Sequence, residues 1–203
     1  MTAPLLVRAL RGEPVDRIPA WVMRQAGRCL PEYRALKEKH GFLGLMTDPA
    51  LAAEVTLQPM RRFPYDAAIL FSDIMTPVMG MGVGLSFDPG PVLPRPIRTR
   101  AEVEALRPLD PARDCGFVAD ALRRARAGLP AGAALLGFAG SPFTVASYLV
   151  EGRGGGEGAA ARRMLQEDPG TLDALLRRLA DATAAYLRMQ VEAGADAVQV
   201  FDT

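Results

Sequence analysis

Four short runs of branched and aromatic apolar residues, separated by stretches with helical signals, restrict this chain to very few folds. They are Ile18–Met23, Asp66–Phe71, Ala133–Phe138 and Ala195–Phe201. Each is apolar on both faces, as expected of a parallel strand covered by helices on both sides. Strand and helix in alternation imply right-handed crossovers within a parallel sheet.

The intervening segments carry start and stop signals. Leu5–Leu10 suits a short helix stopped by Gly12 and Pro14. Pro31 opens a helix that should end near Gly41, and Thr47-Asp48-Pro49 opens another running toward Pro59. Helices are also expected over Ala101–Leu106, Cys115–Ala127, from Pro142 onward, over Ala159–Gln166, and over the long amphipathic Thr171–Ala193 that Gly194 ends. Glycine and proline are dense from Pro77 to Pro96, where Val83–Phe87 followed by Asp88-Pro89-Gly90 reads as a hairpin or an extended loop. Gly152–Gly158 reads either as a mobile lid or as a plain linker.

Polar residues follow the C-terminal ends of the strands: Arg24, Ser72 and Asp73, Ser141, Asp202 and Thr203. In a (β/α)8 barrel that rim carries the chemistry, although a doubly wound sheet also gathers such residues at one edge. No Gly-x-Gly-x-x-Gly follows the first strand, which argues against a dinucleotide site. Four strands cannot close a barrel, and an open half-barrel would leave a strand edge unpaired. The expectation is an α/β TIM (β/α)8 barrel of which residues 1–203 form a single domain and about the first half, the C-terminal part belonging to a longer protein.

Composition narrows function. A formal net charge of +1 implies no polyanion partner such as nucleic acid. Cys29 and Cys115 are too few for a disulfide scaffold, and His40, the only histidine, leaves no His-based zinc site or His-paired nucleophile. No apolar run is long enough for a membrane helix and no signal-peptide pattern opens the chain, so a cytoplasmic protein is the default.

The most chemically suggestive stretch is Arg24-Gln25-Ala26-Gly27-Arg28, after the only tryptophan, Trp21. Each guanidinium is a permanent charge with a planar fork of donors that fits a carboxylate or phosphate bidentately, and Gly27 permits close approach or positive φ. The alternative is a solvated face pairing with local acids such as Glu32.

The segment Pro19–Arg34, which contains these residues, resembles the N-terminal signature of the uroporphyrinogen decarboxylase family. Three further blocks match in order and spacing: Leu57–Phe63 with Asp66–Ile74, Gly137–Thr144 with Tyr148–Gly152, and Gly194–Thr203. The resemblance implies a TIM-barrel enzyme of tetrapyrrole biosynthesis that removes CO2 from the four acetate side chains of uroporphyrinogen III without cofactor or metal, as a cytoplasmic homodimer. It implies that Asp73 accepts from the pyrrole N–H groups and steadies a protonated pyrrole, the alternative being a turn or cap role. Arg24 and Arg28 would bind acetate or propionate groups, with Arg24 the candidate proton donor, and Tyr148 would bring a hydroxyl near Asp73 or the reacting acetate. Thr203, where the family commonly has serine, offers a hydroxyl. Gln25, Ala26, Gly27, Phe71, Ser72 and Phe138 would line the site, Phe138 and Phe201 serving equally as core. Cys29 replaces a usual tyrosine and is expected to be a small buried hydrophobe, while His40 is expected on the surface. The alternatives are a corrinoid-protein methyltransferase on the same barrel, which uses zinc, and a non-catalytic half-barrel.

Overall fold

A computed structural model describes residues 2–87, 90–153 and 158–202. In chain order the elements are α1 Leu5–Leu10, α2 Pro31–Thr47, α3 Pro49–Arg62, β1 Ala67–Ile69, α4 Thr76–Gly80, β2 Ser86–Phe87, β3 Pro91–Val92, α5 Arg100–Ala105, α6 Pro111–Asp114, α7 Gly116–Gly128, β4 Ala134–Gly140, α8 Pro142–Glu151, α9 Ala159–Glu167, α10 Pro169–Glu192 and β5 Ala197–Phe201.

The main sheet has the order β1-β4-β5. β1 and β4 are parallel, with Ala67 opposite Ala134 and Ile69 opposite Leu136. The Asp196 N–H donates to the Leu135 carbonyl at 2.8 Å and the Ser141 N–H to the Phe201 carbonyl at 2.7 Å, so β5 advances in step with β4. Every residue of β1 and β4 is buried, as the doubly apolar runs predict.

Two strand expectations need correction. Ile18–Met23 forms no strand, and Ile18 is 89% exposed. Pro19 has no N–H to give a ladder, and the backbone ladder there reduces to one bond, from the Asp66 N–H to the Ala20 carbonyl at 2.9 Å. β5 is a strand but not a buried one, because Val198 and Val200 are exposed. It stands at one end of the sheet order, and unlike β1 at the other end its alternate side chains are left uncovered among the described residues.

The helix signals fare better. Asp48 caps α3, its carboxylate accepting from the Ala50 and Leu51 N–H groups. α3 continues past Pro59 to Arg62. The break expected at Gly41 is present as a kink, φ 68° and ψ 168°, after which helix resumes to Thr47. A dihedral pair that only glycine adopts readily turns the chain there without ending the helix. α4 and α6 are short helices that no periodicity announced. β2 and β3 form the expected antiparallel hairpin, with Asp88 and Pro89 outside the described residues.

Two compact units are discernible. The first comprises Met1–Asp73, Gly116–Phe138 and Arg188–Gln199, and the second Ile74–Cys115, Ala139–Leu187 and Val200–Thr203. In the first, α3 packs chiefly on α7 and on α2. Gln190 of α10 lies fully buried over Gly137 of β4, its amide donating to the Phe138 carbonyl and accepting from the Phe138 N–H, each at 2.9 Å. A β-carbon at Gly137 would stand 2.6 Å from Gln190 Oε1 and 3.1 Å from its Cβ. Both ends of that amide are committed, so it cannot step aside. Gly137→Ala is therefore expected to destabilise the fold by about 1–3 kcal/mol, read as a lower denaturant midpoint with unchanged slope.

In the second unit, Leu172, Leu175 and Leu179 of α10 form one buried stripe with Leu149 of α8, Val103 of α5 and Met75. Thr99 and Glu102 make a reciprocal capping box at the start of α5.

Candidate functional site

The arginine loop belongs to the first unit, together with the end of β1. Gln25 holds the loop's shape. Its side chain is buried, donating to the Ala67 carbonyl at 2.9 Å and accepting from the Val22 N–H at 2.9 Å. A residue expected to line the site thus spends its amide on the loop and on β1. Gly27 has φ 146°, with nothing within 4 Å of a notional β-carbon. Backbone conformation, not space, calls for glycine there.

Arg24 and Arg28, flanking these two residues, are exposed, and among the described residues neither side chain makes an ion pair or hydrogen bond. Glu32, the local acid that could have neutralised them, is instead taken bidentately by Arg62, at 2.6 and 3.0 Å. That leaves two free guanidinium forks four residues apart. Ala26 is half-buried between them. Cys29 is exposed, not the small buried hydrophobe expected, since the turn after Gly27 directs Leu30 and Tyr33 inward instead. His40 is exposed, as expected.

An aromatic cluster joins this loop to the end of β1. Tyr33, on the helix that follows the loop, packs edge-on against Phe71 with ring centroids 5.5 Å apart, and Phe42 meets the same ring at 5.6 Å. Burial pushes the Tyr33 hydroxyl above its usual pKa, and the charge of Arg28 acts in the opposite sense. The Phe71 N–H donates to Thr56 Oγ1 at 2.9 Å, and that hydroxyl donates to the Ala52 carbonyl at 2.7 Å. Phe71 is therefore a clamped core residue, and the two residues after it, Ser72 and Asp73, are half-buried.

Tyr148 lies in the second unit, half-buried on α8 against the apolar core there. Phe138 is buried and Phe201 half-buried. Thr203 and residues 154–157 of the glycine-rich run lie outside the described residues. Described glycines at either end of that run, Gly152 and Gly158, have φ 83° and 68° and cap α8 and α9.

Two arrangements escaped the sequence reading. One is a carboxylate clasp in the first unit. Asp66 receives both Arg17 Nη atoms, at 2.6 and 2.7 Å, and the Ala20 N–H at 2.7 Å. The Arg17 guanidinium is the main cause of a carboxyl pKa held below the ordinary range. The partners lie 49 positions apart, so no local pattern announces them. The other is in the second unit, where Ser141 and Thr144 at the N-terminus of α8 both donate to Asp202, Thr144 at 3.0 Å. A carboxylate is stabilised at that end of a helix. A groove of about 390 Å³ beside it is lined by Phe143, Leu176 and Arg177 among others. A second groove, of about 430 Å³, lies by Arg95 and Ile97. Neither is lined by Arg24, Arg28 or Asp73.

Among the described residues no three His, Cys, Asp or Glu side chains are grouped so that they could hold a metal ion. Burial pushes the Cys115 thiol up to about 12, which keeps it protonated and unreactive at neutral pH. No helix among the described residues is long and apolar enough to cross a membrane.

Comparison with known proteins agrees with the sequence motifs. Among solved structures, a methyltransferase from Methanosarcina mazei superposes with a TM-score of 0.75 at 20% identity, over 98% of this chain and 59% of that one. At that identity the likeness concerns fold alone, and it supports an α/β fold of the TIM-barrel type. A uroporphyrinogen decarboxylase from Alkalilimnicola ehrlichii is 50% identical over 201 residues, 98% of this chain and 55% of the relative. One from Thioalkalivibrio sulfidiphilus is 51% identical over 98% of this chain and 57% of its own length. One from Gloeobacter violaceus is 48% identical over the whole chain and 59% of its own length. The chain thus spans a little over half the length of these relatives. The uroporphyrinogen decarboxylase (URO-D) family matches residues 1–203 throughout, and the chain belongs to that family.

Proposed function

We propose that this chain provides one part of a (β/α)8 barrel that decarboxylates the four acetate side chains of uroporphyrinogen III to the methyl groups of coproporphyrinogen III. The observation that carries the reading is the pair of exposed arginines, Arg24 and Arg28, without an ion pair or hydrogen bond among the described residues and held on a loop that Gln25 ties to β1. A substrate with eight carboxylates needs fixed guanidinium forks that internal acids have not already neutralised. An identity near 50% to relatives bearing the decarboxylase name, against 20% to the methyltransferase, favours this chemistry over methyl transfer.

The reaction follows from the substrate. Protonation of a pyrrole ring carbon makes a cationic ring next to the acetate carbon. The electrons of the C–CO2 bond then flow into that ring and CO2 leaves. The resulting exocyclic methylene takes up one proton to become methyl, and the ring carbon returns its own. The protonated pyrrole is itself the electron sink, so the step uses no metal or organic cofactor. Asp73, delivered after Phe71, accepts from the inward-pointing pyrrole N–H groups and stabilises the cation, a preorganised charge opposite the one that develops. Arg28 holds a side-chain carboxylate, and Arg24 holds another or relays the proton. Tyr148 brings a hydroxyl to Asp73 or to the reacting acetate, and Thr203 offers one to a substrate carboxylate. Assembly as a cytoplasmic homodimer belongs to the same reading and rests on the family.

The test is anaerobic incubation with uroporphyrinogen III, followed by oxidation and chromatographic separation of the porphyrins. Stepwise appearance of seven-, six-, five- and four-carboxylate species is expected. Methyl transfer to a corrinoid protein, with no coproporphyrin formed, would replace the proposal.

A further inference from the structure

The segment that carries the anion site is held by little apolar burial. Ile18 is 89%, Val22 50% and Met23 51% exposed. A stretch with so few buried contacts opens at low cost unless polar bonds fasten it. Two attachments do so. Gln25 grips Ala67 and Val22, while Asp66 grips Arg17 with both carboxylate oxygens and the Ala20 N–H with one of them. The Asp66 N–H returns a bond to the Ala20 carbonyl, so residues 20 and 66 are locked reciprocally. Asp66 immediately precedes β1, and β1 leads through Phe71 to Asp73. The clasp therefore references the arginine loop to the strand from which the chain runs on to Asp73.

We propose that Asp66, with Arg17 as its counter-ion, is a positioning residue for the carboxylate-binding site formed by Arg24 and Arg28. It acts through the backbone at Ala20, touches no substrate, and depends on the reading of that loop as the substrate's anchor. The chemistry requires a carboxylate at 66: only a charged, two-oxygen acceptor takes an arginine fork and a backbone N–H together.

Trp21, the only tryptophan, sits between the two attachments and reports on them directly. Acrylamide quenching of Trp21 is measured in the wild-type chain, Asp66→Asn, Arg17→Ala and Arg17→Lys, with circular dichroism as the check on folding. Affinity for uroporphyrin, the stable octacarboxylate, is measured in parallel. Asp66→Asn and Arg17→Ala are expected to raise the quenching constant about twofold and to weaken uroporphyrin binding about tenfold, with Arg17→Lys between, because an ammonium restores charge without the fork. In protein active on uroporphyrinogen, KM should rise by the same factor while kcat stays within about threefold. Glu104→Gln, which breaks an exposed pair with Arg100 on α5, should change nothing. If Asp66→Asn fails to fold, Arg17→Ala, at a side chain 56% exposed, carries the test. Unchanged Trp21 quenching in the Asp66 and Arg17 variants would overturn the inference. So would increased quenching with unchanged uroporphyrin affinity. Weakened binding in the variants, beside a wild type that binds uroporphyrin without decarboxylating uroporphyrinogen, would sink the decarboxylase reading and leave the clasp standing.

Discussion

Asp73→Asn is expected to lower kcat on uroporphyrinogen by about 100- to 1,000-fold, the usual cost of removing a preorganised group aimed at developing charge. The substitution is isosteric and keeps a hydrogen-bond acceptor, so the pyrrole N–H groups can still be received. What disappears is the full negative charge opposite the ring cation, which exists in the transition state and not in the bound substrate. KM should therefore move little, because the arginines proposed to hold the carboxylates are untouched. The clamp two residues earlier, the Thr56 hydroxyl on the Phe71 N–H, makes no use of the Asp73 side chain and is expected to persist. Steady-state turnover, with the melting temperature as control, checks this. Turnover within a few-fold of wild type would return Asp73 to the role of a turn residue.

Arg28→Lys is expected to raise KM by about 10- to 100-fold with kcat less affected, matching the loss of a charge-assisted bidentate contact of about 1.5–3 kcal/mol. The charge is kept, so the effect isolates the fork. Its size depends on the guanidinium being available in the free protein. The capture of Glu32 by Arg62 bears on this, since an arginine already paired would lose part of the gain in breaking that pair. The companion variant Arg62→Ala should release Glu32 and weaken binding further by offering the loop an internal competitor. Unchanged KM and kcat in Arg28→Lys would assign Arg28 to structure.

Elements that depend on local chemistry were legible from the sequence. The doubly apolar runs of β1 and β4, the Asp48 cap with Pro49 behind it, the Pro142 start of α8 and the Gly194 stop are all readable from neighbouring residues, because caps and strand periodicity act over a few positions. Ile18–Met23 shows where that reasoning fails. Its composition suits a strand, yet a strand needs a neighbour to pair with, and composition cannot supply one. Cys29 fails for a related reason: residue type favours burial, but the turn after Gly27 decides which side chains face inward.

At the candidate site the division is the same. The sequence by itself determined which residues could recognise carboxylates, and through its four motif blocks it determined the family. Only the tertiary structure decided which of those residues are available. It turned Gln25 inward to hold the loop, assigned Glu32 to Arg62, packed Phe71 between Tyr33 and Phe42, and brought Arg17 to Asp66 across 49 positions. Chemical type is a local property of each side chain. Whether a charge is free or already satisfied depends on partners distant in sequence, and packing alone brings those together.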